Sequence, residues 1–148
     1  MAALALKRQG YVDKGEITVI SDGAECLKRL AGMLPQPVTH ILDWFHISMK
    51  MQQLAQLAVT APKHLSNFGD RIERIKWRLW NGQSGRARTL IAGVRRDLSR
   101  DTVPSIWAHR ADQLLETLLI YISRNKSSVV NYAERYRAGK RIATAPAE

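Results

Sequence analysis

Cysteine is nearly absent: Cys26 stands alone among 148 residues. One thiol excludes an internal disulfide framework and any zinc site built on several cysteines, and the helical pattern around Cys26 suits a small buried apolar residue without a catalytic role. Long apolar runs are missing as well. No stretch approaches the roughly 18 residues of a membrane span, and Met1 to Leu6 is too short for a signal peptide, so a cytoplasmic chain with no membrane partner is expected. Acidic residues are scarce, with thirteen Asp and Glu against twenty-three Lys and Arg and a formal net charge of +10. That imbalance favours a polyanionic partner, nucleic acid ahead of an anionic surface. Hydrophobic residues, in contrast, make up 45% of the chain. That is enough to bury a core, and the length suits one domain or one domain with an insertion.

Residues 1 to 9 have a helical pattern, and Gly15 ends a polar turn before "ITVIS", residues 17 to 21, whose β-branched run reads as a buried strand. Asp22 and Gly23 stop it. "AECLKRLAGML" then sets Ala24, Leu27, Leu30, Ala31 and Leu34 on one helical face, and "PQP" breaks the pattern before a second strand, "VTHILDWF". Strand, helix, strand implies a parallel pair, because a crossover of that length brings the chain back in the same direction. After His46 the apolar residues recur at three and four, and three or four helices are expected, punctuated by Pro62, Asn81-Gly82, Gly85 and Pro104. The longest, "SIWAHRADQLLETLLIYISR", carries a stripe of Trp107, Ala111, Leu114, Leu118 and Ile122. The last residues, "GKRIATAPAE", return to extended or turn character. There is no internal repeat and no low-complexity tract.

In a parallel pair, Asp22 after the first strand and Asp43 near the end of the second fall on one carboxyl edge, where open α/β sheets bind ligands. Two carboxylates there can hold magnesium or manganese, hard cations that take oxygen ligands. Taken alone, Asp-Gly is a turn signal before it is a metal signal. The combination adds more. "VISDGAECL" followed by "ILDWFHISMKMQ" resembles bacterial insertion-sequence transposases of the Mutator-like and ISKra-type group, which have a ribonuclease-H-like core. The resemblance runs through nearly the whole chain, and its most specific parts are "SDGAE" and "LDWFH" together.

The resemblance implies an α/β fold: a partial ribonuclease-H-like core of parallel strand-helix-strand with a large all-α insertion. It divides the chain into core residues 1–47, a helical insertion at 48–137, and a return to the core at 138–148. It makes Asp22 the second catalytic aspartate, and Asp43 and His46 a signature of the active-site edge that is not itself among the three family ligands. Glu148 becomes the catalytic glutamate, after "NYAERYRAGKRIATAPAE". Its competitor, Glu134, lies inside "VVNYAERYR", where Val130, Ala133 and Tyr136 suit a helix and the glutamate suits its solvated side. Asp22 and Glu148 would bind Mg2+ or Mn2+ for two-metal strand cleavage and strand transfer on DNA, in a homo-oligomer. No strand carrying the family's first aspartate fits before Asp22. Asp13 lies in the turn "VDKGE", too near in sequence, so a fragment lacking the complete triad and inactive alone is expected.

The basic charge has its own pattern. Lys63 to Arg100 contains ten Lys or Arg and three acidic residues, and Arg86, Arg88, Arg95 and Arg96 are expected to touch phosphate. A solvated helical face is the plainer explanation of such a charge run. His46 suits either capping and packing at a helix start or contact with DNA. His40 reads as a partly exposed strand position, Trp44 and Phe45 as core, and Trp77 with Trp80 as an apolar packing ridge. Two other readings stay open: a non-catalytic basic helical DNA-binding module, and a nuclease with a ribonuclease-H-like core.

Overall fold

The computed structural model describes residues 17–23, 29, 32–33, 37–101 and 105–144. The helices expected over 1–9 and 24–34, with Cys26 and Asp13, lie outside the described residues apart from isolated positions of the second. What is described is a two-stranded parallel sheet and five helices. Strand β1 is Ile17–Ser21 and β2 is Val38–Leu42, paired from Ile17↔Val38 to Ser21↔Leu42. Helices α1 (Trp44–Val59), α2 (Phe68–Trp80), α3 (Ser84–Ser99), α4 (Ile106–Arg124) and the short α5 (Tyr132–Arg137) follow.

The second strand stops three residues earlier than its apolar run suggests, because Asp43 caps a helix. Its side chain accepts a hydrogen bond from Phe45 N–H at 3.0 Å, satisfying one of the amides that a helix start leaves unpaired. Trp44 and Phe45 are therefore helical. Ile47, Met51 and Leu54 form the buried stripe of α1, and at 100° per residue Phe45 points away from it. Accordingly Phe45 is 41% exposed, and Trp44 is only partly buried against the core.

Helices α1 to α4 form an antiparallel bundle. The three-residue link between α2 and α3 cannot return the chain along a helix of roughly 20 Å, so neighbours must alternate in direction. Each helix packs on the next, and α4 also packs on α1, closing the ring. The core consists of stripes such as Ile72, Ile75 and Leu79 of α2 and Ile91, Val94 and Leu98 of α3. In α4 the buried stripe is Ala111, Leu115, Leu118 and Ile122. Leu115 replaces the expected Leu114, which with Trp107 is only partly buried at the edge of the cluster. Leu42 belongs to the same cluster, so sheet and bundle share one core. By direction, the ends of α2 and α4 and the starts of α1 and α3 lie at the sheet end of the bundle.

Candidate active-site edge

The carboxyl ends of the strands meet the end of α4 through polar groups. Ser21 Oγ lies 2.5 Å from His40 Nε2, and His40 Nδ1 lies 2.7 Å from Ser128 Oγ. The imidazole thus bridges β1 to the turn that follows α4. His40 is half-buried, as a partly exposed strand position should be, but its bridging role depends on a serine 88 residues away. Next along the chain, Asp22 is exposed and Gly23 has φ +92°. A Cβ on Gly23 would sit 2.5 Å from Asn125 Oδ1, so glycine is demanded both by conformation and by the close approach of the α4 cap. Asn125 is buried and donates to Tyr121 O at 2.9 Å. The Asp-Gly turn is real, and it holds Asp22 at the lip of a cleft.

Asp43 is a different kind of carboxylate. It is 1% exposed and is surrounded by donors. Oδ1 accepts from Phe45 N–H and from Thr144 N–H at 3.3 Å. Oδ2 accepts from the Thr144 hydroxyl at 2.5 Å and faces His46 Nδ1 at 3.3 Å. Its backbone N–H donates to Ser21 O at 2.7 Å, and Trp44 N–H donates to Ile142 O at 3.1 Å. Asp43 therefore joins strand, helix and the returning chain at one point. His46 packs beside this cap with its side chain 43% exposed, so one imidazole edge is left toward solvent.

The cleft beside Asp22 has a volume of about 440 Å³ and is lined by Asp22, Gly23, Lys50, Tyr121, Arg124 and Asn125, with Thr117 and Ile120 at its rim. Lys50 Nζ lies 4.8 Å above the Tyr121 ring, within cation–π range. Burial first, then the charges of Asp22 and Asp43, hold the Tyr121 hydroxyl above the ordinary tyrosine value. Both carboxylates thus act on one buried phenol, whose oxygen has no hydrogen-bond partner among the described residues. Lys50, Tyr121 and Arg124 were not singled out in the sequence. Lys50 had a local signal, since it stands four residues beyond His46 on the same helical side. Arg124 had none, because its nearness to Asp22 is created by the return of α4 to the sheet.

The donors that a metal ion would need are only partly present. No group of three His, Cys, Asp or Glu able to hold a metal occurs among the described residues. Asp22 offers one exposed carboxylate, both oxygens of Asp43 are engaged, and Glu148 lies outside the described residues. Those residues alone do not make a metal centre.

The four arginines singled out on α3 do not share a face. With Ala87, Ile91, Val94 and Leu98 inward, Arg88 and Arg95 flank the α4 side, Arg86 flanks the α2 side and Arg96 points outward. Arg95 is engaged within the chain. Its Nε donates to Asp112 Oδ1 at 2.8 Å, its Nη2 lies 3.3 Å from Oδ2, and Glu116 is 3.8 Å away. The bond to Asp112 raises the guanidinium pKa further above its ordinary value. Arg86, Arg88 and Arg96 make no ion pair with the described residues. A second cavity, about 550 Å³, lies between α3 and α4 by Arg96, Asp101 and His109. It is roughly 20 Å along α4 from Arg124 and belongs to the other end of the bundle.

The described residues contain no helix long and apolar enough to cross a membrane. No family model matches the chain, and no curated protein or solved structure is found similar to it.

Proposed function

We propose that the chain is part of the catalytic region of an insertion-sequence DNA transposase of the Mutator-like and ISKra-type group, with a ribonuclease-H-like core. Its reaction would be metal-dependent DNA cleavage and strand transfer in a homo-oligomer inside the cell. The observation that carries this reading is a meeting of three segments. Asp22 and Asp43 follow two parallel strand ends in register, and Thr144, four residues before Glu148, hydrogen-bonds Asp43. In this reading Asp22 and Glu148 are the metal-binding carboxylates for Mg2+ or Mn2+, and Asp43 is a positioning residue that docks the segment leading to Glu148. Lys50 and Arg124 would bind the backbone phosphate next to Asp22, and Arg86, Arg88 and Arg96 would add phosphate contacts on the bundle.

A non-catalytic basic DNA-binding module is the second reading, favoured by the ten Lys or Arg against three acidic residues between Lys63 and Arg100, a charge excess that needs no catalytic carboxylate. Manganese separates the two. Titration with Mn2+ of the chain joined to strands that carry the family's first aspartate, followed by calorimetry or by the paramagnetic resonance of the ion, should show binding that Asp22→Ala removes. Binding that is absent, or indifferent to Asp22→Ala, would leave only the DNA-binding module. A nuclease with the same core would share the metal behaviour and differ by cleaving DNA without strand transfer.

A further inference from the structure

Beside Asp43, on the flank where α1 meets α2, lies a pocket of about 250 Å³ lined by Trp44, Lys76, Trp77 and Trp80. The ring centroids of Trp44 and Trp80 are 4.8 Å apart, buried Tyr132 lies 4.9 Å from Trp44 and 6.5 Å from Trp80, and Tyr136 of α5 lies 5.9 Å from Trp80. Trp77 is 53% exposed and Tyr136 is 61% exposed. The expected packing ridge is therefore half right: Trp80 packs, and Trp77 does not. Ile72, Ile75 and Leu79 take the inward side of α2, which leaves residue 77 nearly opposite to it. Trp77 thus presents part of its indole to solvent at the wall of the pocket.

We infer that this aromatic pocket is a stacking site for an unpaired nucleobase of single-stranded DNA. Indole faces stack on any base, and only a base outside the duplex has a free face to offer. Charge supplies the rest of the match. Lys76 forms part of the wall, and Arg137 and Lys140 are exposed beyond Tyr136. None of the three makes an ion pair with the described residues. Phosphates flanking a stacked base would meet these cations. A second copy of the chain fits less well, because a symmetric contact would bring these like charges against their own counterparts. Trp44, in the wall of the pocket, directly follows the Asp43 cap, whose backbone N–H donates to Ser21 O.

The inference rests on the nucleic-acid reading, and the two can fail separately. A short thymidine single strand and a blunt duplex are titrated against the chain at low salt, with tryptophan fluorescence and labelled-DNA anisotropy as readouts. The single strand should quench tryptophan emission. Trp77→Ala should weaken single-strand binding about ten-fold, the loss of one base-indole stack. Trp77→Phe should restore most of it, and duplex affinity should stay unchanged. An unaltered thermal unfolding curve for both variants assigns the effect to contact. Intact duplex binding with single-strand binding indifferent to Trp77→Ala overturns the stacking site alone. Equal weakening of duplex and single strand also overturns it. No binding of either DNA overturns both readings, and sedimentation showing self-association that Trp77→Ala abolishes assigns the pocket to a second copy.

Discussion

Asp43 shows how one buried side chain can carry several structural duties. Its carboxylate caps α1 and takes two hydrogen bonds from Thr144, which fixes the returning chain. Removing it takes away the α1 cap and both Thr144 bonds, although the exposed donors of Phe45 and Thr144 can turn to water, which limits the loss. Asp43→Ala should destabilise the chain by about 2 kcal/mol in denaturant unfolding, from the lost cap and the lost Thr144 bonds. Asp43→Asn keeps one acceptor oxygen and should lose less than half as much. If the two variants unfold alike, the cap and the Thr144 contacts are not what holds Asp43 in place. The residue was legible as important from its position in an apolar run, and Asp22 from the Asp-Gly pair. What Asp43 touches was not legible, because Thr144 is 101 residues away. Periodicity and turn chemistry describe neighbours along the chain and are silent about such distances.

Among the elements, α3 carries four arginines, and the role of each follows from the angle it takes. Arg95 faces Asp112 with two hydrogen bonds and sits partly buried, whereas Arg86 and Arg96 are exposed. Arg95→Gln should therefore lower stability by up to about 1 kcal/mol, the range of partly solvated ion pairs, and leave DNA binding nearly intact. Arg86→Gln and Arg96→Gln should do the reverse: stability unchanged, and the slope of log affinity against log salt reduced by about one each. Unfolding curves and anisotropy at several salt concentrations measure both effects. A salt slope that falls for Arg95→Gln and holds for the other two would mean that Arg95, and not Arg86 or Arg96, meets phosphate. The helices themselves were well marked by apolar residues at three and four. Boundaries were less so: the apolar run of β2 continues into Trp44 and Phe45, and only a cap at Asp43, a tertiary-supported local bond, ends it.

The whole molecule joins parts of unequal strength. A two-stranded sheet is marginal on its own, whereas the four long helices enclose a continuous core from Leu54 to Ile122. The strands persist because Leu42 enters that core, Tyr132 Oη donates to Leu42 O at 2.7 Å, and His40 bridges Ser21 to Ser128. The edge bearing Asp22 is thus held on the bundle by a few polar bonds. Hydrogen exchange of the full chain should then resolve two levels. Amides in the middle of α2, α3 and α4 should exchange only by global unfolding, and those of β1 and β2 through a lower-energy opening. His40→Ala leaves the Ser21 and Ser128 hydroxyls without their shared partner. It should speed exchange in both strands about ten-fold or more, equivalent to the roughly 1.5 kcal/mol of one buried bridge, while α2 and α3 keep their protection. Uniform acceleration across strands and helices would mean that sheet and bundle are one cooperative unit. In that case the Asp22 edge would be as rigid as the core, and Asn125 and Gly23, rather than the histidine, would be the contacts that set its stability.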